Sequence, residues 1–259
     1  MGTEAGSDAS AGAVAGVATG PGVAAGPGAG VFRIVVLASG GGTNLQAILD
    51  RAHQRDAGEV AVIGAAGDGD GIDRAAASDT NGVRVEVVGV ASDKPGAQAL
   101  ERARNAGVET AIFPAGEFGD RAARDAALAD WIEARQADLV VLAGYMQLLS
   151  AEFVRRFAGR AINIHPALLP SFPGLDAIGQ ALDYGVAVTG VTVHFVDEGV
   201  DSGPVLAQRA IAVPEGRDRE RLEEAIHAAE HELLPAAIGL IAAGRVALGP
   251  GRTVTITPA

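Results

Sequence analysis

From Phe32 onward the chain alternates between two hydrophobic rhythms. Short, nearly continuous apolar runs rich in β-branched residues are separated by stretches where apolar residues recur every three to four positions. The first run, Phe32-Arg33-Ile34-Val35-Val36-Leu37-Ala38, reads as a strand covered on both faces. Leu45, Ile48 and Leu49 follow at helical spacing. Further strands are predicted over Val83–Val90, Thr110–Phe113, Leu139–Ala143 and Ala161–His165, with helices over Gly96–Asn105, Arg121–Arg135 and Ala151–Phe157. Such alternation predicts an α/β fold: a mostly parallel twisted sheet, Rossmann-like, with helices on both faces.

Past Pro173 the pattern changes. A helix is predicted over Asp176–Tyr184. Val188–Val196 then alternates, with Val191, Val193 and Phe195 on one face, and Pro204–Val213 forms another strand. The short connection between these two predicts antiparallel pairing in the C-terminal part. Asp218–Ala243 reads as a helix with Leu222, Ile226, Ala229 and Leu233 in one apolar stripe. Pro235 is expected to kink or split it, and Thr253–Thr257 to form a last edge strand.

Two segments fall outside these rhythms. Residues 1–30 are almost entirely Ala, Gly, Val, Ser and Pro, and read as a disordered leader. A signal peptide would need a basic start, and the first Lys or Arg is Arg33. Glu59–Asn81, with Gly67-Asp68-Gly69-Asp70-Gly71 inside it, reads as an inserted mobile loop. Its Asp–Gly alternation lacks the spacing and terminal Glu of a calcium-binding EF-hand. The remainder, 31–259, is read as one domain.

Composition narrows the function classes. A hydrophobic content of 48% is ample for a core, and no apolar run approaches the ~20 residues of a membrane span. The absence of Cys excludes disulfides and thiolate metal sites, and fits a reducing cytosol. Asp and Glu outnumber Lys and Arg by 32 to 20, a formal charge of −12. That field opposes nucleic-acid binding, which relies on cations against phosphates. An anionic metabolite would have to be held by local donors such as a helix start.

Gly40-Gly41-Gly42-Thr43-Asn44 joins the first strand to the first helix and could supply those donors. No Gly-Lys-Ser/Thr follows, so it is not a Walker loop, and Leu45 replaces the third glycine of a dinucleotide fingerprint. A tight turn alone would account for it equally well. Asn163 and His165 lie two apart at a predicted strand end and therefore share a face, and Pro166 stops the strand. An amide, an imidazole and a carboxylate such as Asp201 together suit acyl transfer. Asp201 alone would be a solvated turn residue; pairing with His165 would make it catalytic, raising the imidazole pKa and fixing its orientation. Of the other histidines, His53 is read as solvated and His194 as a satisfied core or rim residue. His227 and His231, four apart, resemble half a zinc site without its motif, and no metal is expected. Without a Gly-x-Ser-x-Gly elbow or a cysteine, a covalent acyl-enzyme has little support.

Several stretches, in this order, resemble the phosphoribosylglycinamide formyltransferase family of the formyltransferase superfamily. They are Val35-Val36-Leu37-Ala38-Ser39-Gly40-Gly41-Gly42-Thr43-Asn44-Leu45-Gln46-Ala47, Leu142-Ala143-Gly144-Tyr145-Met146, Asn163 through Pro170, and Gly190 through Val205. The resemblance runs from about Arg33 to Ala243. It implies formyl transfer from 10-formyltetrahydrofolate, as co-substrate, to the amine of phosphoribosylglycinamide in purine synthesis. By it, Asn163, His165 and Asp201 are catalytic, and Gly42, Thr43 and Asn44 hold the substrate phosphate. His227 and Glu230 contact the ribonucleotide, Glu230 receiving the glycinamide amine. Arg121, Met146, Gln147, Leu148, Leu149, Asn163, Asp197, Glu198, Gly199, Val200 and Asp201 line the folate site. Residues 31–130 would be the phosphate half, and 131–259 the folate and catalytic half. Gln147 stands where the family often carries Arg.

The expected protein is thus a cytoplasmic enzyme on small molecules, without nucleic-acid or membrane partners. Sequence does not set its oligomeric state, and a homodimer is compatible with the resemblance. A formyltetrahydrofolate hydrolase would use the same triad but has no need of the Gly40–Asn44 loop. A non-catalytic folate or nucleotide binder would need no proton carrier. A methionyl-tRNA formyltransferase should carry a further carboxy-terminal domain and a basic surface.

Overall fold

The structure, a computed structural model, describes residues 30–62 and 82–258. The leader through residue 29 and positions 63–81 of the insertion lie outside the described residues. In chain order, β1 (Val31–Leu37) leads to α1 (Thr43–Arg51), β2 (Arg55–Asp56) and α2 (Ala57–Val62). Then come β3 (Arg84–Ser92), α3 (Gln98–Asn105), β4 (Thr110–Ile112), α4 (Arg121–Glu133), β5 (Leu139–Leu142), α5 (Ala151–Arg156) and β6 (Ala161–His165). The last third holds α6 (Ala177–Tyr184), β7 (Val188–Phe195), β8 (Val205–Ala212), α7 (Arg219–Ala242), β9 (Val246–Leu248) and β10 (Val254–Ile256).

The main sheet runs β2-β3-β1-β5-β6-β7-β8, with β4 also on β3. Pairings among β4, β3, β1, β5 and β6 are parallel; β7–β8 is antiparallel, as expected, and β6–β7 is antiparallel as well. Alternation along β1 sorts the core into two layers. Ile34 and Val36 pack with Leu45, Ile48, Leu100, Leu222 and Ile226 on one face. Val35 and Leu37 pack with Leu128, Ile132, Phe153 and Phe157 on the other. So α1, α3 and α7 cover one side, and α4 and α5 the other.

β1 has β3 on one flank and β5 on the other, so sheet growth reverses direction there, where α/β sheets open a crevice beyond their carboxyl ends. Hydrogen bonds fasten the two loops at that point. Ala143 N–H donates to the Leu37 carbonyl (2.9 Å), Ser39 N–H to that of Gly144 (3.0 Å), and Met146 N–H to Ser39 Oγ (2.8 Å).

Four expectations change. Pro235 neither ends nor splits α7, which runs unbroken for 24 residues. The interior proline costs roughly 3 kcal/mol, but every residue from Leu233 to Ala242 is buried, and that packing carries the helix through. Glu59–Val62 belongs to α2 rather than to a loop. Val254–Ile256 pairs with β9 in a separate hairpin, not as an edge of the main sheet. His53 is half-buried and its Nδ1 accepts the Val87 N–H at 3.0 Å, so it secures β3 instead of standing in solvent.

Close packing also reaches toward the strand end that carries His165. A Cβ on Gly190 of β7 would lie 2.1 Å from the Arg209 carbonyl and 2.7 Å from Leu168 Cδ2. We expect Gly190→Ala to lower stability by roughly 1–3 kcal/mol or more. A urea midpoint equal to that of the parent would show that the β7–β8 pair yields freely there.

Candidate functional site

β6 delivers Asn163 and His165 to one face, and the antiparallel register sets His194 of β7 directly opposite Asn163. The loop after β7 returns Asp201 to the same place. Asn163 Nδ2 donates to His194 Nε2 (3.2 Å) and to Asp201 Oδ1 (3.3 Å). His194 Nδ1 lies 2.9 Å from the Phe195 carbonyl. A carbonyl only accepts, so Nδ1 carries the hydrogen and Nε2 is free to accept from Asn163. By the same reasoning His165 Nε2 donates to the Phe172 carbonyl at 2.8 Å. Its Nδ1 faces Asp201 Oδ2 at 3.4 Å, an electrostatic contact rather than a short hydrogen bond. Asp201 Oδ2 also accepts the Gly174 N–H at 2.8 Å.

Asp201 is half-buried. Burial alone would push its pKa up; contact with His194, the Gly174 N–H and the charge of His165 outweigh it, and the net shift is downward. It is therefore the anionic member of the group at neutral pH. Two backbones here are left-handed: Asp201 (φ 49°) and the bulky Phe172 (φ 54°), whose carbonyl holds His165. For a residue the size of Phe this conformation is strained.

Asn163, His165, Gly174 and Asp201 line a cleft of about 730 Å³, within the range of small-molecule sites. Arg121, Met146, Gln147, Leu148 and Val200 line it as well. An adjoining cavity of about 330 Å³ adds Leu149, Asp197, Glu198 and Gly199, and shares Asn163 and Asp201. Every residue expected to face folate thus borders one of two neighbouring hollows. Met146 and Leu148 are 60% and 61% exposed, which gives the cleft an apolar lip.

A second group assembles at the start of α1. Gly42 is left-handed (φ 70°), and a Cβ on it would lie 2.7 Å from Ala99 Cα, so no other residue fits. Gly40 faces open space. No side chain caps α1, which leaves first-turn N–H groups for another partner. Asn44 Nδ2 donates to Glu230 Oε2 at 3.0 Å, while its Oδ1 is buried without a partner. Burial raises the Glu230 pKa, against the pull of Asn44 and His227. His227 is exposed, its ring stacked 6.3 Å from His231, and among the described residues no group of three metal-ligating side chains forms. Thr43 borders a separate cavity of about 250 Å³ with Arg102 and His231. Of the residues expected to hold phosphate and ribonucleotide, none lines the large cleft.

Several participants were not legible beforehand. His194 is the satisfied, buried histidine expected, and its register opposite Asn163 also makes it a partner of that amide, for which the Thr192/His194 alternation is the available signal. The Phe172 carbonyl and the Gly174 N–H carry no side-chain signature at all. Tyr145 is buried beside the cleft, its hydroxyl unpartnered and its pKa pushed by burial up to about 12.

Comparison with known proteins adds a family. Residues 72–238 match the model of the formyl transferase family, "Formyl transferase". The phosphoribosylglycinamide formyltransferase of Mycobacterium tuberculosis is 40% identical over 224 residues, 86% of this chain and 91% of that protein. The Drosophila melanogaster trifunctional purine biosynthetic protein adenosine-3 is 39% identical over 218 residues; these are 84% of this chain but only 14% of that protein. Among solved structures, glycinamide ribonucleotide transformylase 1 from Symbiobacterium toebii superposes with a TM-score of 0.73 at 43% identity, covering 88% of this chain and 94% of that one.

The two carboxylates should respond to pH in opposite senses. Glu230 titrates above its ordinary value of 4.5, so its ionisation opposes folding as pH rises through that region. Glu230→Gln keeps an acceptor for Asn44 and removes the charge. We expect a higher Tm than the parent at pH 7, with the gain vanishing toward pH 4; a constant gain would contradict the linkage. Asp201, below its ordinary 3.8, contributes stability above that value and loses it as pH falls through the lowered one.

Proposed function

Because the chain belongs to the formyl transferase family, we propose that it transfers the formyl group of 10-formyltetrahydrofolate to the amine of 5-phosphoribosylglycinamide, a step of purine biosynthesis. The observation that carries this reading is the convergence of Asn163, His165 and Asp201 on the wall of one cleft. An uncapped, glycine-led helix start stands ready for a phosphate at a second place. The names of the matched relatives supply the acceptor, and the chemistry of the cleft agrees with it.

The amine nitrogen attacks the formyl carbon, and the carbonyl oxygen becomes a tetrahedral alkoxide. Collapse expels the folate nitrogen, which takes up one proton while the amine gives up one. Asn163 is suited to the alkoxide: its amide hydrogens are spent on long bonds of 3.2 and 3.3 Å, weak enough to exchange for an anion. His165 carries protons, and anionic Asp201 orients it and compensates positive charge as it forms. Glu230 and the free Asn44 oxygen are acceptors fitted to an amine or hydroxyl donor of the ribonucleotide. In this reading residues 31–130 form the phosphate half, and 131–259 the folate and catalytic half, of a cytoplasmic enzyme. Among the described residues no helix is long and apolar enough to cross a membrane.

Release of tetrahydrofolate, followed with and without the ribonucleotide, tests the assignment. Release that requires the ribonucleotide is expected; release in its absence would identify a hydrolase, and none in either case a binding protein. Asn163→Ala should lower kcat by roughly 100- to 1000-fold, the effect of losing one oxyanion donor. Asp201→Asn should keep folate binding by calorimetry while turnover collapses; unchanged turnover would remove Asp201 from the mechanism.

A further inference from the structure

Beneath the cleft lies a charge that the mechanism does not use. Arg124 of α4 is 2% exposed and borders neither hollow. Its Nε and Nη2 donate to Asp125 Oδ1 at 2.9 and 2.7 Å. Nη1 donates to Gln147 Oε1 at 2.8 Å, and Nη2 also reaches the Leu148 carbonyl at 3.2 Å. The other Asp125 oxygen accepts the Ser150 N–H at 2.6 Å. Gln147 is gripped from its far side as well, its Nε2 donating to Asp93 Oδ2 at 2.8 Å.

One buried ion pair thus fixes residues 147, 148 and 150 of a segment that has no strand or helix of its own. Desolvation makes buried ion pairs poor contributors to net stability, and apolar residues of similar volume often serve as well. Its placement calls for a positional reason. Gln147 and Leu148 border both hollows, so whatever holds them sets the shape of the wall a ligand meets.

We propose that Arg124 is a positioning residue for the formyl donor, an inference that rests on the formyl-folate reading above. Its planar fork spans the Asp125 carboxylate, the Gln147 amide and the Leu148 carbonyl at once, which an ammonium cannot reproduce. The grip turns the backbone and apolar lip of residues 146–149 toward the donor. It also accounts for an uncharged Gln147: a guanidinium is already buried behind it, and a second cation there would face Arg124.

Steady-state kinetics of Arg124→Lys and Gln147→Met test the proposal, with thermal melts to establish folding. Gln147→Met leaves the Arg124–Asp125 pair intact, so it serves should the lysine variant not fold. We expect KM for the formyl donor to rise about tenfold, the weight of one lost hydrogen bond to a charged group. In Arg124→Lys, KM for the ribonucleotide and kcat should stay within about twofold of the parent. An unchanged donor KM in folded Gln147→Met, or equal rises in both KM values, overturns the positioning role while leaving the activity assignment intact. Failure of the unaltered chain to bind tetrahydrofolate in a calorimeter would instead sink the donor assignment, and this proposal with it.

Discussion

A carboxylate drawn half out of water must collect donors, and most of the cleft's architecture is that collection. Asp201 takes an amide hydrogen from Asn163 and a backbone hydrogen from Gly174, and stands within 3.4 and 3.6 Å of two imidazoles. Those partners arrive from three places: β6, the opposed position on β7, and the loop that precedes α6. Meeting one charge's solvation requirement therefore ties the parallel half of the sheet to the antiparallel half. The switch in strand direction at β6–β7 is what makes this possible, because the antiparallel register places His194 directly opposite Asn163.

Asp201 and Glu230 illustrate opposite treatments of a carboxyl. Asp201 is surrounded by donors and stays ionised. Glu230, with one amide donor at 3.0 Å and little else, has its charge disfavoured by burial. A group poised in that way gains most when a ligand brings its own positive charge or donor, whereas Asp201 is already compensated before any ligand arrives. In the proposed function, recognition and catalysis are thus divided between a carboxyl left wanting and one fully served.

Much of this was legible in the chain. The apolar runs of β1, β5 and β6 and the alternation of β7 located the sheet, and the Asn163/His165 spacing located the strand face that borders the cleft. What escaped depended on tertiary packing. Pro235 sits in an unbroken helix because its surroundings are buried on all sides, which local propensity does not encode. Val246–Leu248 is too short and too isolated to announce itself as a strand. His194 and Arg124 looked like ordinary strand and helix residues; their roles come from what lies across the sheet or above the helix. Backbone partners such as the Phe172 carbonyl have no sequence signature, although the contact is one of the tightest at the site.

The left-handed residues Phe172, Asp176 and Asp201 have a bearing on evolvability. Each bears a side chain in a conformation that glycine would occupy more comfortably, and all three border or brace the cleft. Strain of this kind costs of order 1–3 kcal/mol per residue, so the cleft is kept in shape at the expense of the fold's margin of stability. Variants selected for heat resistance alone would be drawn toward relaxing these positions first. Sequence drift in this protein is therefore tightly confined along Phe172–Asp176 and at Asp201, where durability and competence pull apart.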